Sequence, residues 1–450
     1  MKNSYDIFCP ETFGKIKKYF VFSIVILLNI SYLHSQNIEP NNCGLQISVP
    51  EAEGMSSERL ARIDTVFREY INKDWCNGAT AIILRNGKIV YYKAIGYNDI
   101  KKKTPLKKDD IFRIASQTKA ITSVAVMMLY EKGKFSLDDP ISDYLPEFKD
   151  VKVLDKFNEA DSTFTTVKPE SPVTIRELLT HTSGLGYPGS GTKAMNAIYA
   201  NYGITMVLGD KKLNLKDDIR KLARVPLGFQ PGEKWNYGFS VDVLGRLVEV
   251  ISGMSLDRFF RNYIFDPLGM KDTYFYLPKD KYKRLEKLYI MDKTGHLTEV
   301  KKSTSLDPDY PDLNGKLYSG GAGLSSTVYD YALFLKMLLN GGVLNGKRLL
   351  SETTVKMMTQ NQIGDLECGS LFIPKGGDKF GLGFEIISKP GSIQIPIPAG
   401  SYGWGGTFGS LDWVDPVNNI VAQLVLQVSP NSYNEIRKKF IALVYQAIIN

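Results

Sequence analysis

The stretch RIASQTKAITSVAVMMLYEKGK, residues 113–134, decides how this chain is read. From Ala120 onward it is apolar for about three helical turns. A helix that is apolar nearly all round belongs inside a core. Yet it opens on Ser116 and Lys119, three residues apart and therefore on one helix face. Burial disfavours the charged form of a lysine. An amine held beside a hydroxyl can take the hydroxyl proton, which is how a serine is activated without histidine. Unpaired N–H groups at a helix start favour negative charge developing there.

Ser-x-x-Lys is a weak pattern alone, since both residue types are common. SGTK supplies a second match at Ser190 and Lys193, in the Gly- and Pro-containing stretch GYPGSGTKAM, where no buried helix is expected behind it. GGVLNGKR (341–348) reaches the G-x-x-x-x-G-K spacing but places Arg348 where a phosphate-binding loop needs Ser or Thr. It also follows a helical run, so a helix-ending glycine turn is the better reading. No G-x-S-x-G motif is present.

With 450 residues, 43% apolar and 23% charged, the chain can build a large core. Lys15, Lys17 and Lys18 precede the apolar block Tyr19–Leu33, which is short for a membrane span and is followed by HSQN. Residues 1–35 therefore read as a secretory signal, and the chain as secreted or periplasmic. An uncleaved membrane anchor is the alternative. Removing 1–35 takes four lysines against two acids, so the net charge of +8 becomes +6. That mild excess is spread along the chain and gives no basic stripe for nucleic acid. Of Cys9, Cys43, Cys76 and Cys368, three survive cleavage. A Cys43–Cys76 bridge is one pairing, but the odd count argues against a disulfide framework. Three histidines, one of them in the signal, make no His-rich metal site.

Asn86-Gly87 between the β-rich runs of ATAIILRNGKIVYYKAIGY predicts a hairpin. Residues 141–315 read as helical and loop-rich, with helices in TIRELLTHTSGL, in SVDVLGRLVEVISG (240–253, capped by Gly253) and in SLDRFFRNYIFDPLG, the last stopped by Pro267. Strands return in FGLGFEII, FGSLDWVD and NIVAQLVLQV, and NEIRKKFIALVYQAII predicts a closing amphipathic helix. The expected architecture is α/β of the α+β kind. One antiparallel sheet built by 44–140 and 316–450 is covered by helices, and 141–315 forms an inserted helical lobe.

FRIASQTKAITSVAVMMLYEKGKFSLDDPISDYLPEF, IRELLTHTSGL, PGEKWNYGFSVDVLGRLVEVISG, DPLGMKDTYFY, SGGAGLSSTVYDYALF and YGWGGTFGSLDWVDP follow one another in this order. Together they resemble the serine β-lactamase-related proteins, the group of class C β-lactamases, DD-peptidases and family VIII carboxylesterases. The resemblance runs from about residue 50 to the C-terminus. It implies a β-lactamase/DD-peptidase-like fold with the active site between sheet and helical lobe. By position, Ser116 would be the acylated nucleophile and Lys119 its proton partner. Tyr237 of Tyr237-Gly238-Phe239 would be the general base, in place of the family's Tyr-x-Asn. The third motif falls on Trp404-Gly405-Gly406, with the backbone N–H groups of Thr407 and Ser116 as oxyanion hole. Phe239, Trp404, Gly405 and Gly406 would face substrate. Phe239 replaces an amide, and Trp404 replaces a cation that would hold a substrate carboxylate; both departures resemble the carboxylesterase branch. His181, in the HTSGL turn, reads as structural.

The expected activity is acyl-enzyme hydrolysis of neutral esters with a modest acyl group, without metal or organic cofactor. β-Lactam or D-amino-acid peptide cleavage is the enzymatic alternative, and a non-catalytic penicillin sensor the alternative of another class. The expected partner is a small ester or amide, with no nucleic acid, and with a membrane only through the uncleaved anchor.

Overall fold

The computed structural model describes residues 44–449 except 190, 206–207, 209–212, 304–305, 313–314, 370 and 373–376. The signal-like segment 1–35, Cys43 and Ser190 of the second Ser-x-x-Lys pair lie outside the described residues. Cys76 and Cys368 are buried thiols.

Helix α1 (Ser57–Asn72) starts at Ser56, whose hydroxyl accepts the Arg59 amide proton. Strands β1 (Gly78–Arg85) and β2 (Lys88–Asp99) then pair across Asn86 and Gly87, at φ 52° and 73°. Two successive positive φ values match the right-handed twist of the paired strands, which is why Asn-Gly signals this turn. After β3 (Thr104–Pro105) comes α2 (Thr118–Glu131), and further along lie α3 (Ser240–Ser252) and α4 (Val328–Leu339). The chain returns to the sheet with β4 (Lys379–Phe380), β5 (Glu385–Ile386), β6 (Tyr402–Gly405), β7 (Leu411–Asp415) and β8 (Ile420–Val425), then closes with α5 (Glu435–Gln446).

The result is one eight-stranded antiparallel sheet, in the order β4-β5-β6-β7-β8-β1-β2-β3, flanked by helices. β1 shows how the sheet divides two cores. Ile82 and Leu84 join α2 and α4 on one face; Ala81 and Ile83 join α1 and α5 on the other. Such alternation is the period-2 geometry of a strand, and each fully buried aliphatic side chain contributes about 1.5–3 kcal/mol. Among the described residues no helix is long and apolar enough to cross a membrane.

Some local expectations change. FGLGFEII is two short strands, β4 and β5, because Gly381–Gly383 turns the chain, with Gly383 at φ 96°. Pro267 does not stop its helix. A π-helical turn, Arg261–Phe265, precedes it and runs directly into Asp266–Leu268, which contains the proline; Gly269 ends the run. Residues 193–201 do form a helix, Lys193–Asn201, with Lys193 exposed at its start. GGVLNGKR makes a glycine turn and a small hairpin, Val343–Leu344 with Lys347–Arg348. Two further hairpins, Val153–Phe157 with Phe164–Val167 and Tyr289–Met291 with Leu297–Glu299, interrupt the stretch expected to be helical.

Candidate active site

Helices α2 and α3 pack against each other, and the short turn Ala115–Gln117 ahead of α2 lies against β6. Ser116 therefore sits where two helix starts meet the end of a sheet strand. Its predecessor Ala115 is buried at φ 45°, a left-handed conformation that is strained for a residue with a Cβ. The turn is clamped from three sides. The Ile114 amide donates to the Leu324 carbonyl, the Tyr331 hydroxyl donates to the Gln117 carbonyl, and the Gln117 side-chain amide donates to Asp412 on β7. Burial pushes Asp412 up to about 7.

Lys119, 2% exposed, extends its Nζ into the same space. Nζ lies 3.5 Å from Ser116 Oγ, 3.1 Å from the Tyr187 hydroxyl and 2.7 Å from the Gly321 carbonyl oxygen. It stands 4.5 Å from the Tyr237 ring centroid, over the face. The three predicted side chains Ser116, Lys119 and Tyr237 thus converge, although Lys119 meets the tyrosine through its ring. The Tyr237 hydroxyl is buried and has no hydrogen-bond partner among the described residues. Tyr237 reaches this position because Gly238 lets its loop lie directly on Leu185 and Gly186. A Cβ at 238 would come to 2.6 Å from the Gly186 Cα.

Two residues not singled out from the sequence complete the arrangement. Tyr187 presents its hydroxyl to Lys119. Burial, then the Asp242 carboxylate and Tyr237, push its phenol well above the ordinary value of 10, so it stays protonated. Asp242, on α3, is buried, and one of its carboxylate oxygens accepts from the Ser319 hydroxyl at 2.6 Å and the Gly321 amide at 3.0 Å. Burial raises its carboxyl while the Lys119 charge opposes that rise. Gly321 therefore links the amine to a buried carboxylate.

The third motif divides. Gly406 brings its backbone against the nucleophile turn: a Cβ there would stand 2.5 Å from the Ile114 carbonyl oxygen. Thr407 follows and lines the cavity with Ser116. Among the described residues neither the Thr407 nor the Ser116 amide donates to an acceptor, as an oxyanion site requires. Trp404, 4% exposed, packs in an aromatic cluster, 5.4 Å from the Tyr237 and Phe380 ring centroids. Gly405 lies beneath Leu371, whose side chain would meet a Cβ there. His181 is also packed, its ring centroid 4.9 Å from that of Tyr237, and burial and Lys119 hold its imidazole well below 6.5. Neither ring nitrogen has a hydrogen-bond partner among the described residues.

A cavity of about 590 Å³ opens at Ser116. Phe239 lines it, fixed edge-on to Tyr187 with centroids 4.5 Å apart.

The β-lactamase family model matches residues 63–446, most of the chain. The chain belongs to the β-lactamase family. Among its relatives, esterase EstB of Burkholderia gladioli is 30% identical over 387 residues, covering 81% of this chain and 90% of that protein. Lovastatin esterase of Penicillium rubens is 31% identical over 409 residues, covering 85% and 98%. The solved structure of EstCE1, described as a hydrolase with promiscuous acyltransferase activity, superposes with a TM-score of 0.75 at 26% identity, covering 88% of this chain and all of that one. This chain is a serine hydrolase of the β-lactamase family.

Proposed function

We propose that this chain is a carboxylesterase acting on neutral esters, with Ser116 as nucleophile, Lys119 and Tyr237 as the proton-transferring pair, and the Ser116 and Thr407 amides as oxyanion hole. Lys119 Nζ has room for three partners. Nζ donates to the Gly321 carbonyl and the Tyr187 hydroxyl, and its third side faces Ser116 Oγ, whose proton the Lys119–Tyr237 pair takes. Oγ attacks the ester carbon, a C–O bond forms, and the carbonyl oxygen becomes an oxyanion between the two amides. The intermediate collapses by breaking the bond to the alkoxy oxygen. That oxygen leaves as the alcohol, taking its proton from the pair, and the unpartnered Tyr237 hydroxyl is the group free to hand it over. Water then attacks the acyl-enzyme. The pair takes the water's proton and returns one to Oγ as the acid departs. Proton transfer of this kind is typically worth about 10²–10⁴-fold.

The observation that carries the ester reading is the loss, at position 404, of the cation that the family uses as a carboxylate anchor. Trp404 stands where the family places a cation. Among the described residues the cavity lining holds one cation, Lys221, and its ammonium donates to the Gly203 carbonyl at 2.5 Å. A substrate that binds through its own carboxylate, as a β-lactam or a peptide C-terminus does, meets no cation at position 404. The esterase names of two relatives support the same reading. Export is part of the proposal and rests on the signal-like residues 1–35 alone. The test is parallel turnover of p-nitrophenyl butyrate and a chromogenic cephalosporin by the wild type and Ser116→Ala. Ester cleavage that exceeds cephalosporin cleavage and disappears in Ser116→Ala is expected. Faster cephalosporin turnover reverses the assignment.

A further inference from the structure

We infer that the acyl half of the substrate is a long aliphatic chain of about eight to twelve carbons, seated in the cavity beside Ser116. The inference rests on the esterase reading and goes beyond the modest acyl group expected from the sequence. Helix Leu215–Leu222 presents Leu215, Ile219 and Leu222, at i, i+4 and i+7, as one wall of the cavity. Phe239, Leu317 and Phe408 line it as well. Two of these are tied to the catalytic groups by sequence: Phe239 lies two residues after Tyr237, and Phe408 directly follows Thr407. The cavity therefore starts at the nucleophile and oxyanion amides and is lined mostly by apolar side chains, with Asp218 and Lys221 of the same helix also on its wall.

Size and chemistry set the occupant. At roughly 30 Å³ per methylene-sized group, the share of one water molecule in the liquid, about 590 Å³ accommodates roughly twenty such groups. An acetyl or butyryl group would leave most of that volume unfilled. Phe239 in place of an amide removes the partner that an acyl-amide side chain would need, and it adds hydrocarbon surface. The acyl half is assigned here because it stays bonded to Ser116 through both steps, whereas the alcohol must leave and water must enter. A recess suits the part that stays.

The test uses the full chain and p-nitrophenyl esters from acetate to dodecanoate, with butyrate esters of methyl to decyl alcohols beside them. kcat/KM should rise with acyl length, by up to roughly fourfold per methylene, the equivalent of its transfer out of water, and by at least about tenfold between four and eight carbons. It should change little with alcohol length. Ile219→Trp should lower the decanoate-to-butyrate ratio of kcat/KM at least about tenfold, since it fills the cavity. Leu222→Phe makes the same test if the tryptophan variant does not fold. A wild-type optimum at two to four carbons overturns the inference while leaving the esterase reading intact. So does a dependence on the alcohol instead of the acyl chain, or an unchanged ratio in the cavity variants. Failure to cleave any ester overturns the esterase reading, and this inference with it.

Discussion

Replacing Gly406 by alanine adds one methyl group where the end of β6 meets the nucleophile turn. The new Cβ would stand 2.5 Å from the Ile114 carbonyl oxygen and would also meet the Ser410 hydroxyl. Carbon atoms of this kind are essentially never closer than 3.0 Å, so the backbone at 406 must retreat by about 0.5 Å or more. Ile114 cannot give way easily, because its own amide is hydrogen-bonded to Leu324 and the strained Ala115 follows it. The displacement therefore falls on Thr407, whose amide is proposed to hold the oxyanion. Loss of one such donor costs about 10²–10³-fold in kcat, and a misplacement of 1 Å can cost about 10²-fold. A shift of half that size should lower kcat by about 10- to 100-fold. Overpacking should cost about 1–3 kcal/mol, which a domain of this size survives. The assay is steady-state hydrolysis of a p-nitrophenyl ester alongside a thermal melt. A kcat within about threefold of wild type, with a lowered Tm showing that the methyl group is felt, would refute the reasoning.

Tyr237→Phe removes a hydroxyl that makes no hydrogen bond among the described residues, so Tm should hold while kcat falls by about 10²–10⁴-fold; a large loss of Tm with kcat retained would contradict the assigned role. Asp242→Asn keeps an oxygen for Ser319 and Gly321 but removes the buried charge near Lys119. kcat/KM should drop at least about tenfold, and an unchanged value would mean that only the hydrogen bonds matter. His181 gives a pH test. Its folded pKa lies below the unfolded 6.5, so the unfolded state binds the extra proton and stability falls as pH drops below 6.5. Denaturant unfolding should show wild type losing about 1.4 kcal/mol relative to His181→Phe between pH 7.5 and 5.5, and equal losses would show that the imidazole titrates freely in the folded state.

The reading of the sequence succeeded where local chemistry and tertiary demand coincide. Asn86-Gly87 announces its hairpin because only such residues take two positive φ values cheaply. Helix α3 announces itself by spacing and by Gly253 at φ 68°. Ser116 and Lys119 stand out because a buried lysine at a helix start needs a reason. Tyr187 escaped notice because GLGYPG carries no period, and only the close approach allowed by Gly238 brings its hydroxyl to Lys119. Asp242 looked like an ordinary polar residue in the first turn of α3, and nothing local tells that Gly321, far along the chain, will cover it. Trp404 is a different case. Its motif position suggests substrate contact, and its packing against Tyr237, in one cluster with Trp235 and Phe380, is a feature no local pattern announces. The signals that failed were those depending on partners distant in sequence.

Intact-protein and peptide mass spectrometry of the enzyme quenched during turnover of a slow ester tests the central claim most directly. The account predicts an added acyl mass carried by the peptide that contains Ser116, absent from Ser116→Ala and accumulating more slowly in Lys119→Ala. An acyl group on any other residue, or ester turnover surviving in Ser116→Ala, would contradict it.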